Sequence, residues 1–284
     1  MDPDVRMRGG ARTLGESSAW TLQPHTVVWV LLPLYAYLRA LPELRPSGWE
    51  AARFVAGVAA LFAALISPLH VAADTSSFLL HVIQHMLLQM VAPPLLLSGI
   101  PRHARARLAA HPGLVRAARL LLHPLVAAGV YNAVLVLWHW PLPTSRGELR
   151  LACGVLTDLA TRSPVVAVLQ DILPLVAGLL FWATIMLEPP LTRSSPGARV
   201  AMLLGSMVLN WLLSFSLAFA DTPMYARYAG TRPPFGLSLL ADQKLGAGVM
   251  WEHGNMTYVV ALVMWLRALL RQAGTAGTAG TPVP

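Results

Sequence analysis

Apolar positions along the chain fall into seven long runs, separated by short stretches of charged and turn-forming residues. A helix needs about 20 apolar residues to cross the hydrocarbon core of a bilayer, because each residue adds about 1.5 Å. The runs lie at approximately residues 25–41, 49–66, 77–98, 121–140, 165–187, 199–220 and 244–266. The pattern therefore predicts an all-α fold: a polytopic integral membrane protein built as a seven-transmembrane-helix bundle.

The two ends of the chain lack this pattern. Residues 1–24 contain three arginines, glycine and proline but no apolar run, which predicts a disordered polar lead without a cleavable signal. From Ala273 the triplet Ala-Gly-Thr repeats, which is typical of a flexible tail. We therefore divide the chain into a lead at 1–24, a seven-helix membrane domain at 25–272 and a tail at 273–284.

Composition agrees with a membrane protein, since 56% of the residues are hydrophobic and only 12% are charged, whereas a soluble domain has about 25% charged residues. The net charge is +8. Because the basic residues concentrate between the apolar runs, this charge indicates membrane topology and does not predict a nucleic-acid partner. Their distribution favours an N-terminus outside the membrane and a C-terminus in the cytoplasm.

Two classes of chemistry are excluded by the residues present. The single cysteine, Cys153, forbids an internal disulfide and any metal site built from a cysteine pair. The sequence also lacks the phosphate-binding, dinucleotide-binding and zinc-protease motifs of common soluble enzymes.

Polar residues inside the apolar runs concentrate towards one membrane face. An ionisable side chain in a membrane is costly and usually faces a partner, a cavity or a ligand. His81 and His85 in the third run are four residues apart and share one helix face. Since successive runs cross in opposite directions, His139 and Asp171 lie at the same membrane face as this pair. The seventh run also begins there and contributes Met250, Glu252 and His253.

Histidine and methionine without cysteine form a ligand set suited to copper. Imidazole binds copper, zinc and iron, and a thioether favours Cu(I). We therefore expect copper, as Cu(I), and predict five ligands: His81, His85, His139, Met250 and His253. Four neighbouring polar residues are predicted to support these ligands through hydrogen bonds: Gln84, Asp171, Asp242 and Glu252.

Other interpretations of the same residues stay open. The histidines could serve only helix packing in a metal-free scaffold, as polar residues in membrane bundles often do. His139 lies between two tryptophans of a possible interfacial aromatic belt, and Asp242 could simply cap the seventh helix. Histidines on separate helices could also ligate a haem iron, although His81 and His85 on one helix could not supply both axial ligands.

The motifs themselves resemble those of a known family. HVIQHMLLQMVAPPLLLSGIP, YNAVLVLWHWP, LLFW and PMY followed by DQKLGAGVMW occur in this order over about residues 78–258. This series resembles the membrane cytochrome c oxidase assembly factor family CtaG, the multi-helix type associated with caa-type oxidases. The resemblance implies a non-enzymatic protein of the bacterial plasma membrane that helps assemble cytochrome c oxidase, by aiding copper supply, and that contacts oxidase subunits and membrane lipid.

Thirteen positions carry the resemblance: His81, Gln84, His85, Pro93, Pro94, Trp138, His139, Pro141, Trp182, Asp242, Gln243, Met250 and Trp251. The chain departs from the family pattern at Asp171, where similar sequences tend to have histidine, and at Pro174, where they tend to have an aromatic residue. A carboxylate is a harder ligand than imidazole, which weakens the case for Cu(I) at that helix. Asp171 could instead orient a ligating histidine through a hydrogen bond.

Overall fold

A computed structural model of the chain describes residues 20–139, 141–143, 149–151 and 163–278. These residues form ten α-helices, two short 3₁₀ helices (Ala226–Tyr228 and Pro234–Gly236) and one short antiparallel ribbon. The helices are α1 (Pro24–Leu44), α2 (Gly48–Leu65), α3 (Pro68–Thr75), α4 (Phe78–Ser98), α5 (Arg102–Leu108), α6 (Pro112–Leu121), α7 (Pro124–His139), α8 (Pro164–Met186), α9 (Pro196–Ala218) and α10 (Leu239–Thr278). The ribbon pairs β1 (Pro141–Pro143) with β2 (Leu149–Leu151), with Pro141 opposite Leu151.

The all-α architecture is confirmed, whereas the count of seven membrane spans is not. Each predicted run lies largely on one helix, but among the described residues five helices are long and apolar enough to span a membrane. A sixth span is possible if α6 and α7, which meet at 57°, cross as one bent pair. Helix α10 falls short because polar residues such as Glu252, His253 and Asn255 interrupt its apolar sequence.

The two predicted end regions are described only in part. Most of the predicted lead, residues 1–19, lies outside the described residues, and α1 begins at Pro24. Helix α10 continues to Thr278 and so includes the start of the predicted tail, while residues 279–284 lie outside the described residues.

Helix α4 is the central element of the bundle. It packs against α2, α3, α8 and α10. Of an 18-residue apolar stretch of α4, 61% of the residues are buried, compared with 11% for the corresponding stretch of α1. The largest apolar cluster lies between α4 and α7 to α10 and contains Phe78, Tyr131, Phe181 and Tyr258. A second cluster joins α4 to α1 and α2. Among the candidate spans, α4 is therefore the most deeply buried in the bundle.

Two consecutive prolines, Pro93 and Pro94, change the path of α4. Proline has no backbone N–H, so Pro93 cannot donate to the carbonyl of Gln89 one turn earlier. The helix widens into a π-turn at Leu87–Val91, and the indole Nε1 of Trp182 donates to the Gln89 carbonyl at 3.0 Å. Gly178 lets α8 come this close, because a Cβ there would lie 2.7 Å from the same carbonyl oxygen. A side chain of the neighbouring helix α8 thereby supplies the hydrogen bond that the Gln89 carbonyl loses within α4.

Helices α4 and α10 also approach closely at a glycine. A Cβ on Gly246 would lie 2.8 Å from Cδ1 of Phe78 and 3.2 Å from the backbone Cα of Leu79. Gly248, two residues later, faces open space, since no atom of the described residues lies within 4 Å of its added Cβ. The close contact therefore depends on Gly246.

We expect Gly246→Ala to destabilise the protein by about 1–3 kcal/mol, because the added methyl group forces α4 and α10 apart. Gly248→Ala is the matched control on the same helix, and it should be neutral or slightly stabilising, because alanine favours a helix more than glycine does. Thermal unfolding in detergent measures both variants. Equal unfolding temperatures for the two variants would contradict the proposed close contact.

Candidate metal centre

Three buried histidines from two helices meet near one end of the bundle. His81 and His85 project from the first turns of α4, and His139 is the last residue of α7. Their exposed fractions are 0%, 2% and 2%. Helix α4 runs away from this end and α7 runs towards it, which is the arrangement that the alternating direction of the predicted runs implies.

The three imidazoles lie close enough to share one ion. Their ring centroids are separated by 4.2 Å for His81 and His85, 5.1 Å for His85 and His139, and 5.8 Å for His81 and His139. One ring nitrogen from each residue can be chosen so that all three lie within 4.8 Å of one another. Among the described residues, this is the one set of three or more His, Cys, Asp or Glu side chains with such a geometry.

A hydrogen bond orients the ring of His139, whereas one ring nitrogen of His85 has no hydrogen-bond partner among the described residues. Nδ1 of His139 lies 2.9 Å from the carbonyl oxygen of Leu135, so this nitrogen carries the proton and Nε2 keeps its lone pair. Nδ1 of His85 is buried and has no hydrogen-bond partner among the described residues. A buried polar atom without a partner is costly, and a bound ion would satisfy it.

The residues predicted from α10 divide between the interior and the surface. Met250 is buried, with an exposed fraction of 1%, and its carbonyl accepts from Nδ2 of Asn210 at 3.0 Å. Glu252 and His253 are exposed and lie outside the three-histidine set. Helical rotation explains this division: two positions place Glu252 nearly opposite Met250, and His253, three positions on and about 60° round the helix from Met250, lies beyond the edge of the buried face.

Gln84, although it lies between the two α4 histidines, contacts a different part of the bundle. Its Nε2 lies 2.7 Å from Nδ1 of His70 and 3.1 Å from the carbonyl oxygen of Ala64. Residues one position apart on a helix project about 100° from each other, which agrees with the separate contacts of Gln84 and His85. Gln84 therefore connects α4 to α2 and α3.

Asp171 lies beside His70, the partner of Gln84, and not beside the three histidines. Its Oδ2 lies 3.0 Å from Nε2 of His25, and its Oδ1 lies 3.8 Å from Nδ1 of His70. Nε2 of His70 lies 3.8 Å from Asp74, whose carboxylate also pairs with Arg227 at 3.2 Å. We call His25, His70, Asp74, Asp171 and Arg227 the His70 cluster.

His25 and Arg227 are members of the His70 cluster that sequence reasoning missed. A signal for His25 was present, because it lies at the start of the first apolar run, on the same membrane face as His81 and Asp171. Arg227 lies in the loop before α10, and no periodicity in the sequence indicates its partner.

Asp242 holds the start of α4 in place. Its carboxylate accepts from Oγ of Ser77 at 2.6 Å and from the backbone N–H groups of Phe78 and Leu79 at 2.7 and 3.3 Å. These N–H groups belong to the first turn, which has no acceptor within its own helix. Asp242 thus acts as an N-terminal cap, as one interpretation of the sequence proposed, but on α4 and not on its own helix. It orients the helix that carries His81 and His85.

The family model described as cytochrome c oxidase caa3 assembly factor (Caa3_CtaG) matches residues 35–272. The chain belongs to this family. The Caa3_CtaG match confirms the resemblance inferred from the motifs and covers most of the chain, including the three histidines. Comparisons with curated proteins and with solved structures gave no significant match.

The positions that carry the resemblance to Caa3_CtaG have two kinds of environment. His81, His85 and His139 form the buried set described above. Trp182 and Asp242 instead bond to α4 itself, and Gln243 joins the end of α9 to the following loop by accepting from the backbone N–H of Met224 and donating to the carbonyl of Leu217. Part of this Caa3_CtaG pattern therefore supports the helices that carry the histidines.

We expect Asp242→Ala to destabilise this Caa3_CtaG protein by about 2 kcal/mol or more, because three donors at the start of α4, two of them in buried hydrogen bonds, lose a charged acceptor. Thermal unfolding in detergent measures the effect. Asp221→Ala removes an exposed carboxylate and is the matched control, and Asp242→Asn, which keeps one acceptor oxygen, should be intermediate. If Asp242→Ala and Asp221→Ala unfold at the same temperature, Asp242 does not hold α4.

Proposed function

We propose that this assembly factor binds one copper ion at His81, His85 and His139 as cargo and aids its delivery to cytochrome c oxidase. Three buried imidazoles, with ring nitrogens that lie within 4.8 Å of one another, are the main support for this proposal. Nitrogens that share an ion at about 2.0 Å lie about 3.5 Å apart, so small ring rotations bring this set to the required separation. The role is that of a metal-handling assembly factor and not of an enzyme.

The donor set favours Cu(I) over a divalent ion. All three donors are imidazoles, and the buried set contains no carboxylate. The cost of burying an ion rises with the square of its charge, so a monovalent ion is less costly than Zn²⁺ where no anionic ligand offsets the charge. Imidazole suits both metals, and the buried surroundings without a carboxylate favour Cu(I).

The small number of ligands also suits a site that releases its ion. Three ligands leave an open position through which a partner's ligand can enter before the ion leaves. Met250 is buried on α10, which packs against α4, and we propose its thioether as a candidate fourth ligand. His253 and Glu252, being exposed, are outside the proposed set, and the predicted supporting role is assigned to Asp242, which orients α4.

We further propose that the protein is a multi-pass protein of the bacterial plasma membrane with the histidine end of the bundle outside. The arginine-rich loops lie at the other end of α4 and favour the cytoplasm. Copper delivered at the outer face would reach oxidase subunits there, which we propose as partners.

The haem alternative is disfavoured by the spacing of the rings. Two axial ligands must lie on opposite sides of a porphyrin, whereas these three rings have centroids only 4.2–5.8 Å apart and two of them share one helix. The metal-free scaffold differs from our proposal in its response to histidine substitution.

We expect the purified protein, reconstituted with Cu(I) in detergent, to bind about one copper per chain. Competition against a chromogenic Cu(I) chelator measures the affinity, which should fall at least about tenfold for His81→Ala, His85→Ala or His139→Ala, because each removes one ligand. His253→Ala and His123→Ala are matched controls that should keep the affinity of the unaltered protein. Met250→Leu, which conserves volume, tests the fourth ligand.

Three outcomes would contradict the copper site. Equal affinity in all the histidine variants would place bound copper elsewhere, and tighter retention of Zn²⁺ than of Cu(I) would replace the proposed ion. Protein that remains metal-free after reconstitution would favour the scaffold.

In cells we expect the double variant His81→Ala, His85→Ala to lower cytochrome c oxidase activity while leaving the abundance of the assembly factor unchanged. The reason is that the variant keeps the helices but loses two of the three proposed ligands. Membrane oxidase assays and immunoblotting of the factor measure the two quantities. Full oxidase activity in this variant would support the scaffold and reject copper delivery.

A further inference from the structure

A cavity lies at the arginine-rich end of α4, opposite the three histidines. It has a volume of about 350 Å³ and is bounded by α5, the residues that follow it, and the loop at 187–191. Nothing in the proposed copper function uses this cavity. It is open on one side and lies where α5 and α6 connect α4 to α7.

Two guanidinium groups, those of Arg102 and Arg105, line the cavity. Nε of Arg105 is buried and has no hydrogen-bond partner among the described residues. A planar guanidinium offers several donors in a fixed geometry that matches a phosphate group. A buried donor of this kind is costly when it has no acceptor, so the cavity calls for an anionic ligand with oxygen acceptors.

Apart from Glu188, the remaining lining of the cavity is apolar. Leu187, Pro189 and Leu191 form part of its wall. Beside it, α5 and α6 expose large leucines together with arginines on the same short helices: Leu108, Leu114, Leu120, Leu121, Arg107, Arg116 and Arg119. Helices with this composition lie in the plane of the headgroups of a bilayer. A ligand here therefore meets positive charge and an apolar surface together.

Glu188 limits the charge that the cavity can accept. Its carboxylate pairs with Arg102 at 2.9 Å, and both side chains are largely exposed. Two arginines and one glutamate leave a net charge of +1, which matches the single negative charge of a phosphodiester. A free phosphate ion carries more charge and has no apolar part to occupy the leucine-rich side.

We propose that this cavity binds the phosphodiester headgroup of an anionic membrane phospholipid, with Arg105 as its principal donor. The acyl chains lie along the exposed leucines of α5 and α6. The bound lipid joins α5 to the loop that follows α8 and so connects two parts of the bundle at this membrane face. The proposal goes beyond the copper function and does not depend on it.

The test uses the full chain in a neutral detergent and counts bound lipid by native mass spectrometry during titration. We expect phosphatidylglycerol to bind at least about tenfold more tightly than phosphatidylcholine. Arg105→Gln should weaken phosphatidylglycerol binding by about tenfold, and Arg105→Lys, which keeps the charge but not the planar donors, should lie between. Glu188→Gln should strengthen binding about two- to threefold, because it removes a competing carboxylate.

Arg116→Gln is the matched control, since it removes the same charge from an exposed position on α6 outside the cavity. It should change the binding less than about twofold. Equal losses in Arg105→Gln and Arg116→Gln would overturn the proposal in favour of diffuse surface charge. Equal binding of phosphatidylcholine, or displacement of the lipid by inorganic phosphate at similar concentrations, would also overturn it.

Discussion

The need to pair polar groups inside an apolar bundle is the constraint on which the rest of this structure depends. A donor or acceptor away from water is costly unless it has a partner, and α4 carries several such side chains, among them His81, Gln84 and His85, all nearly inaccessible. Gln84 is paired through α2 and α3, and the carbonyl left free by Pro93 is paired by Trp182. His81 and His85 lie beside His139, another imidazole, and the copper proposal rests on this meeting of three imidazoles.

The periodicity of the sequence predicts much of the fold and the core of the candidate site. Each apolar run lies largely on one helix, although only five of the described helices, or six with the bent pair, are long and apolar enough to span a membrane. The i to i+4 spacing places His81 and His85 on one face. The alternating direction of successive runs brings His139 to the same end. These predictions succeed because they depend on rise per residue and chain direction, which are properties of any helix.

Rotation and contact between helices could not be predicted in this way. His253 lies within the expected depth but faces outwards, and Asp171 pairs with His25 from a helix 146 residues earlier in the chain. The rotation of a helix about its axis is set by packing against its neighbours, such as the contact of Gly246 with Phe78. Asp242 was predicted near the site, but its role depends on α10 approaching the start of α4, which one sequence alone does not specify.

Helix α4 thus connects two chemically different ends of the molecule. At one end Asp242 fixes its first turn and its histidines meet His139, and at the other a short arginine-rich segment lies against the loop after α8. The π-turn between them is held by Trp182 and Gly178. Substitutions that move α4 along or about its axis should therefore affect the histidine set even when they lie far from it.

X-ray absorption spectroscopy of the Cu(I)-loaded protein tests the central claim most directly. We expect a first coordination shell of three imidazole nitrogens at about 2.0 Å, with at most one sulfur contributed by Met250. Of the three proposed imidazole ligands, His139 lies on α7 and the other two lie on α4. In His139→Ala the shell should therefore lose one nitrogen. A shell dominated by sulfur, or a shell that is the same in the unaltered protein and in His139→Ala, would contradict a copper site at these three histidines.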